Sequence, residues 1–110
     1  MNNAMGEQTI IKARVTLVFA GYGDLTLTDT ALIWNKSATS FLVFGLVNMA
    51  TDNHLMIPLV DIVRVGTYTY FPGGGLVITR SDGKEYKVAF KKKKEFKIVY
   101  EYLSEHIGNN

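Results

Sequence analysis

The chain has 110 residues, 47% of them apolar and 20% charged, which fits one ordinary globular core and leaves no room for a second. It contains no cysteine, which excludes disulfides and thiolate metal sites and suits a reducing, cytoplasmic setting. The net charge of +2 selects no partner by itself, but seven of the nine lysines fall between Lys84 and Lys97.

Residues 1–8 have no apolar run behind a basic cluster, so they do not read as a signal peptide. They are expected to form a flexible tail ahead of one domain over residues 9–108. Ile11, Ala13, Val15, Leu17 and Phe19 then alternate with Lys12, Arg14, Thr16 and Val18, which predicts a half-buried strand with a basic outer face. Ala20 to Gly23 reads as a turn. A second strand follows from Asp24 to Thr28, with Leu25 and Leu27 inward. Thr28-Asp29-Thr30 is a tight turn into a third strand, Ala31 to Asn35, with Leu32 and Trp34 in the core.

Phe41 to Val47 is so uniformly apolar that period does not separate a buried strand from a short helix or a loop. The apolar stretch from Phe41 to Ala50 is about half the ~20 residues a bilayer span needs, so no transmembrane segment is expected. A short strand from His54 to Ile57 ends at Pro58. Leu59 to Tyr70 is rich in strand formers, with Leu59, Ile62 and Val65 inward, and Phe71 to Gly75 closes it as a loop.

The next hairpin can be set in register from its faces. A two-residue Asp82-Gly83 loop would put the rows Leu76-Ile78 and Tyr86-Val88-Phe90 on opposite sides of the sheet. A three-residue loop, Ser81-Asp82-Gly83, pairs Ile78 with Tyr86 and Leu76 with Val88, and both rows then face one core. That register predicts a bulged turn with Gly83 in the left-handed region. Lys91 to Lys94 follow, and Phe96, Val99, Tyr100, Leu103 and Ile107 then fall on one helical stripe that stops at Gly108. About seven strands and a final helix predict an all-β fold, a barrel or sandwich capped by a C-terminal α-helix.

Three segments carry a family resemblance. Leu25-x-Leu27-Thr28-x-x-x-Leu32-x-Trp34, Ile57-Pro58-Leu59-x-Asp61-Ile62 and Asp82-Gly83-Lys84-x-Tyr86 resemble, in order, motifs of GRAM and bacterial pleckstrin-homology-like domains. Together they span the chain from about Val15 to Ile107. The resemblance implies seven strands in two near-orthogonal antiparallel sheets forming a barrel, with the helix plugging one end. Phosphoinositide-binding members of the pleckstrin-homology group hold the headgroup with basic residues beside the first loop. Here that loop, Ala20 to Gly23, is short and uncharged, so generic attraction to acidic lipid is the fitting expectation.

The strongest charge feature is Lys91, Lys92, Lys93 and Lys94. Cations at a helix amino terminus oppose its dipole, so helix stability does not explain them. An anion there would meet lysines and free backbone N–H groups together. Lys12, Arg14, Lys84 and Lys87 are the supporting cations, and the plainer alternative is a solvated run that guards a barrel edge. A second candidate surface is apolar: Phe41, Leu42, Phe44 and Leu46, either an interaction patch or a buried strand. Tyr22, Tyr68, Tyr70, Phe71 and Tyr102 offer an aromatic recognition surface or an ordinary sheet face. Nucleic acid is disfavoured, because only Phe90 and Phe96 accompany the lysine run and both suit the core.

Catalysis is not expected. His54 and His106 stand without a cysteine, or a serine or glutamate at triad or metal-ligand spacing. Gly73 to Gly75 leads into a strand, not the helix that a phosphate-binding loop requires. No cofactor or metal is implied. The sequence therefore points to a non-catalytic cytoplasmic module that binds acidic membrane lipid or a membrane-bound partner. The competing expectation is a protein-interaction or homo-oligomeric self-assembly domain using the Phe41–Val47 segment or a strand edge.

Overall fold

A computed structural model describes residues 8–37 and 54–108 of the protein. Within them seven antiparallel strands form one sheet, followed by one long helix. The strands are β1 (Thr9–Leu17), β2 (Gly21–Thr28), β3 (Ala31–Lys36), β4 (His54–Pro58), β5 (Ile62–Tyr68), β6 (Gly74–Arg80) and β7 (Glu85–Phe90). A single 3₁₀ turn, Leu59–Asp61, joins β4 to β5, and the helix α1 runs from Lys93 to Gly108.

The strand order is β4-β3-β2-β1-β7-β6-β5. One hydrogen-bonded ladder therefore stands where two sheets and a closed barrel were expected. Its two edges, β4 and β5, are consecutive among the described strands and have no ladder between them. Pro58, which lacks an N–H to donate, ends β4, and the 3₁₀ turn redirects the chain before β5 begins. Edges separated by three residues must lie close, so the open sheet curls upon itself. Ala13, Val15 and Leu17 of β1, Leu25 and Leu27 of β2, Leu32 and Trp34 of β3, Ile57 of β4 and Ile62 of β5 all join one buried cluster.

The inward rows agree with the period-two reading in β1, β2 and β3, with one exception. Phe19 is not in the core. The strand ends at Leu17, Ala20 N–H closes a turn onto Leu17 O, and Phe19 is fully exposed with φ of 73°. Alternation in sequence continued one step beyond the point where the backbone turned. A bulky residue in the left-handed region is uncommon.

The β6–β7 hairpin has the register that the face argument requires. Leu76 stands opposite Val88 and Ile78 opposite Tyr86. Gly83 has φ of 92°, its N–H bonds Arg80 O at 2.9 Å, and Arg80 N–H bonds Lys84 O at 2.8 Å. The Asp82 carboxylate accepts the Lys84 N–H at 2.9 Å, a local side-chain bond that favours this turn.

Helix α1 lays its stripe over β1, β5, β6 and β7. Val99 and Leu103 are wholly buried; Phe96, Tyr100, Tyr102 and Ile107 flank them. Phe96 meets Phe90 edge-on at 5.8 Å and stacks on Tyr100 at 6.2 Å, geometries that aromatic pairs favour. Burying each of Val99 and Leu103 stabilises the helix–sheet contact by about 1.5–3 kcal/mol.

Candidate functional site: a basic and aromatic face

The alternation that turns Val15, Leu25 and Val88 inward turns a second set of side chains away from the core. Two rows of that outer face matter. In the first, Arg14 of β1 stands opposite Asp24 of β2, Asp24 opposite Asn35 of β3, and Asn35 opposite His54 of β4. Arg14 Nε lies 2.7 Å from Asp24 Oδ1, and His54 Nδ1 lies 2.7 Å from Asn35 Oδ1. The Arg14–Asp24 pair is about half exposed, so it orients the guanidinium more than it stabilises the fold. Lys91 N–H reaches Arg14 O, so the lysine run begins at the end of this row.

The second row runs Tyr68, Gly75, Ala89, Thr16, Tyr22 across β5, β6, β7, β1 and β2. It has a tyrosine at each end and small residues between. The Tyr68 ring lies so close over Gly75 that a Cβ there would collide with it, and Ala89, next along the row, is buried.

Cations gather on both tyrosines. Arg14 Nη1 donates to the Tyr22 hydroxyl at 3.0 Å while its Cζ sits 5.3 Å from the ring centroid. Lys91 Nζ lies 4.9 Å from the same centroid, and Lys87 Nζ lies 5.8 Å from that of Tyr68. These distances fall within the range of cation–π attraction. The pKa values of the two phenols are shifted in opposite directions. The hydrogen bond from Arg14, aided by Lys91, lowers the Tyr22 pKa below its usual value, whereas burial raises that of Tyr68. Tyr22 thus sits in a cationic field, and Tyr68 serves as a partly buried wall.

Lys91, Lys92, Lys93 and Lys94 are all exposed. Lys93 and Lys94 open α1, and Lys92 O accepts the Phe96 N–H at 3.1 Å. Among the described residues Lys92, Lys93 and Lys94 have no ion-pair partner. Glu95, the acidic residue of the first turn, complements the helix dipole that the lysines oppose.

The loop joining β5 to β6 belongs to this end of the sheet. Gly73 is buried, and a Cβ on it would overlap the carbonyl of Phe90 and press on that of Lys91. The loop base is therefore packed against the backbone from which the lysine run starts. Its tip, Phe71, is 89% exposed, and Tyr70 is 43% exposed.

Of the cations read from the sequence, Lys91 and Arg14 meet on Tyr22, Lys87 lies apart from them over Tyr68 at the other end of the row, and Lys12 lies two residues before Arg14 on β1. Lys84 does not join them. It sits in the far hairpin, seven positions before Lys91, a separation of roughly 20 Å along an extended strand. The apolar candidates Phe41, Leu42, Phe44 and Leu46 lie outside the described residues. Phe90 is core as expected, and Phe96 packs against it. Sequence reading missed Tyr22 as the hub of the cations, because its contacts come from β1 and from beyond β7. His106 lies in the last turn of α1, where a cation suits the dipole.

No protein-family model matches the chain, and no curated protein matches it. Among the described residues no helix is long and apolar enough to cross a membrane.

Proposed function

We propose that this protein is a non-catalytic module of pleckstrin-homology-like type that associates with acidic membrane surfaces through its lysine run. The frame on which this reading rests is one antiparallel sheet around one core with a final helix laid across it. The observation that carries the functional reading is the group Lys91 to Lys94: four consecutive exposed cations, with Lys91 and Arg14 drawn together on Tyr22. A run paired within its own fold would be structural. This run points outward, and its leading member shares a ring with an arginine of the neighbouring strand.

Each lysine near an anionic leaflet contributes about 1 kcal/mol. Changing Lys91, Lys92, Lys93 and Lys94 together to glutamine is therefore expected to weaken binding to phosphatidylserine-containing vesicles by roughly 10²–10³-fold. Co-sedimentation should show binding by the parent that requires anionic lipid and declines with added salt. Equal sedimentation of parent and variant would sink the proposal.

A second reading is favoured by one observation. Among the described residues the β5 edge has no further ladder partner, and it presents exposed Val60 and Val63 (87% and 53%). An unpaired apolar edge is a template for strand addition by another copy. Sedimentation equilibrium distinguishes this reading: self-association that Val63→Lys abolishes would favour it, and a monomeric parent would dismiss it.

A further inference from the structure

We infer that Phe71 is the membrane-inserting element of the lysine site, so that the protein docks on an anionic bilayer by one aromatic wedge and a cluster of cations. This inference rests on the acidic-membrane reading above and adds the apolar half of the contact.

Phe71 projects from the β5–β6 loop with 89% of its surface in water, and what distinguishes it is the company of the lysine run. Its location is fixed by packing. Buried Gly73, two residues on, is seated against the backbone of Phe90 and Lys91. The exposed ring and the four exposed lysines therefore issue from neighbouring stretches of backbone, at one end of the sheet. Among the described residues Phe19 is also exposed, in a contrasting setting. It stands at the opposite end of β7, beside a cleft of about 260 Å³ lined by Val18, Glu85, Tyr86 and Lys87, where one lysine is offset by one glutamate.

The chemistry of the pair selects a bilayer. Aromatic rings settle at the headgroup level, and basic side chains beside them meet the phosphates. One such signal gives only marginal binding, and a second makes it stable. The four cations of the exposed run are all lysines, hydrated point charges that suit a diffuse field of headgroups, and the one arginine nearby, Arg14, is engaged by Asp24 and Tyr22. The aromatic protrudes instead of lining a pocket, which fits a soft, planar partner.

The test uses the full chain. Phe71→Trp reports insertion, with the buried Trp34 of the parent as background; Phe71→Ala removes the wedge at an exposed position, and circular dichroism checks its fold. With phosphatidylcholine vesicles containing phosphatidylserine, the emission of the introduced tryptophan should shift to the blue and be quenched by brominated acyl chains. Phe71→Ala should bind about tenfold more weakly, the share expected of a partly inserted ring. Three results would overturn the inference, each differently. If the parent binds these vesicles but the introduced tryptophan is neither shifted nor quenched and Phe71→Ala binds equally, the lysine site stands and the wedge does not. If the parent ignores anionic vesicles altogether, the membrane reading itself is lost. Retention on polyglutamate without vesicle binding would assign the patch to an acidic protein surface.

Discussion

Asp61 shows how one side chain ties segments distant in sequence. It sits in the 3₁₀ turn after β4, accepts a hydrogen bond from Ser81 Oγ, and lies 2.6 Å from Arg80 Nε. The Ser81 N–H also bonds the Asp61 carbonyl at 2.9 Å. The Ser81 bond, followed by that from Arg80, holds the carboxyl pKa below its ordinary value. A carboxyl with a depressed folded pKa contributes stability above the unfolded value, about 3.9, and loses it as pH falls through the folded one. Asp61→Asn should therefore lower the urea midpoint at neutral pH, and the gap to the parent should narrow below about pH 4. A gap that stays constant down to acid pH would mean that charge is not what Asp61 contributes. Its partners lie nineteen and twenty positions away, so they became identifiable only when the β6–β7 hairpin was placed beside the turn. Tyr22 was named from the sequence as a candidate aromatic, but its partners Arg14 and Lys91 were hidden for the same reason, whereas Leu25, Leu32, Trp34, Val99 and Leu103 were legible because each repeats within its own element.

Among the elements, the β6–β7 hairpin was legible to the residue and the β1–β2 turn was not, and the difference is physical. In β6–β7 two apolar rows had to share a face, and only a three-residue loop with left-handed Gly83 allowed it. In β1–β2 the left-handed position is held by Phe19, a residue that carries no such signal, so the alternation ran on past Leu17. A Cβ on Gly83 would meet nothing within 4 Å, so Gly83→Ala isolates the conformational term. It should destabilise the protein by about 1–2 kcal/mol, read from equilibrium unfolding, without disturbing vesicle binding at the other end of β7. A neutral result would show that the turn relaxes. Period likewise could not say whether β4 and β5 pair, since each alternates alike beside one neighbour or two. Closure is a property of the whole sheet.

At the scale of the molecule, helix α1 packs chiefly on β1, β5, β6 and β7, to one side of the β2–β4 half of the sheet. Yet Trp34 on β3 and Leu103 on α1 belong to the same buried cluster, together with Val15, Leu17, Val88 and Phe90. A continuous core predicts that the two halves unfold together. Trp34 is the only tryptophan, so its fluorescence reports the far half of the sheet, while far-ultraviolet circular dichroism near the helical minimum reports α1. The two probes should give coincident denaturation curves. Leu103→Ala, which removes a wholly buried side chain from the helix stripe, should lower stability by about 2–5 kcal/mol and move both curves by the same amount. A helix signal lost before the tryptophan signal, or a Leu103→Ala shift confined to it, would make α1 an independent lid on an already stable sheet. The lysine run would then sit on a hinge between two units. Because Phe96 bridges Phe90 and Tyr100, and Gly73 locks the β5–β6 loop to the start of the run, the coincident outcome is the one this packing requires.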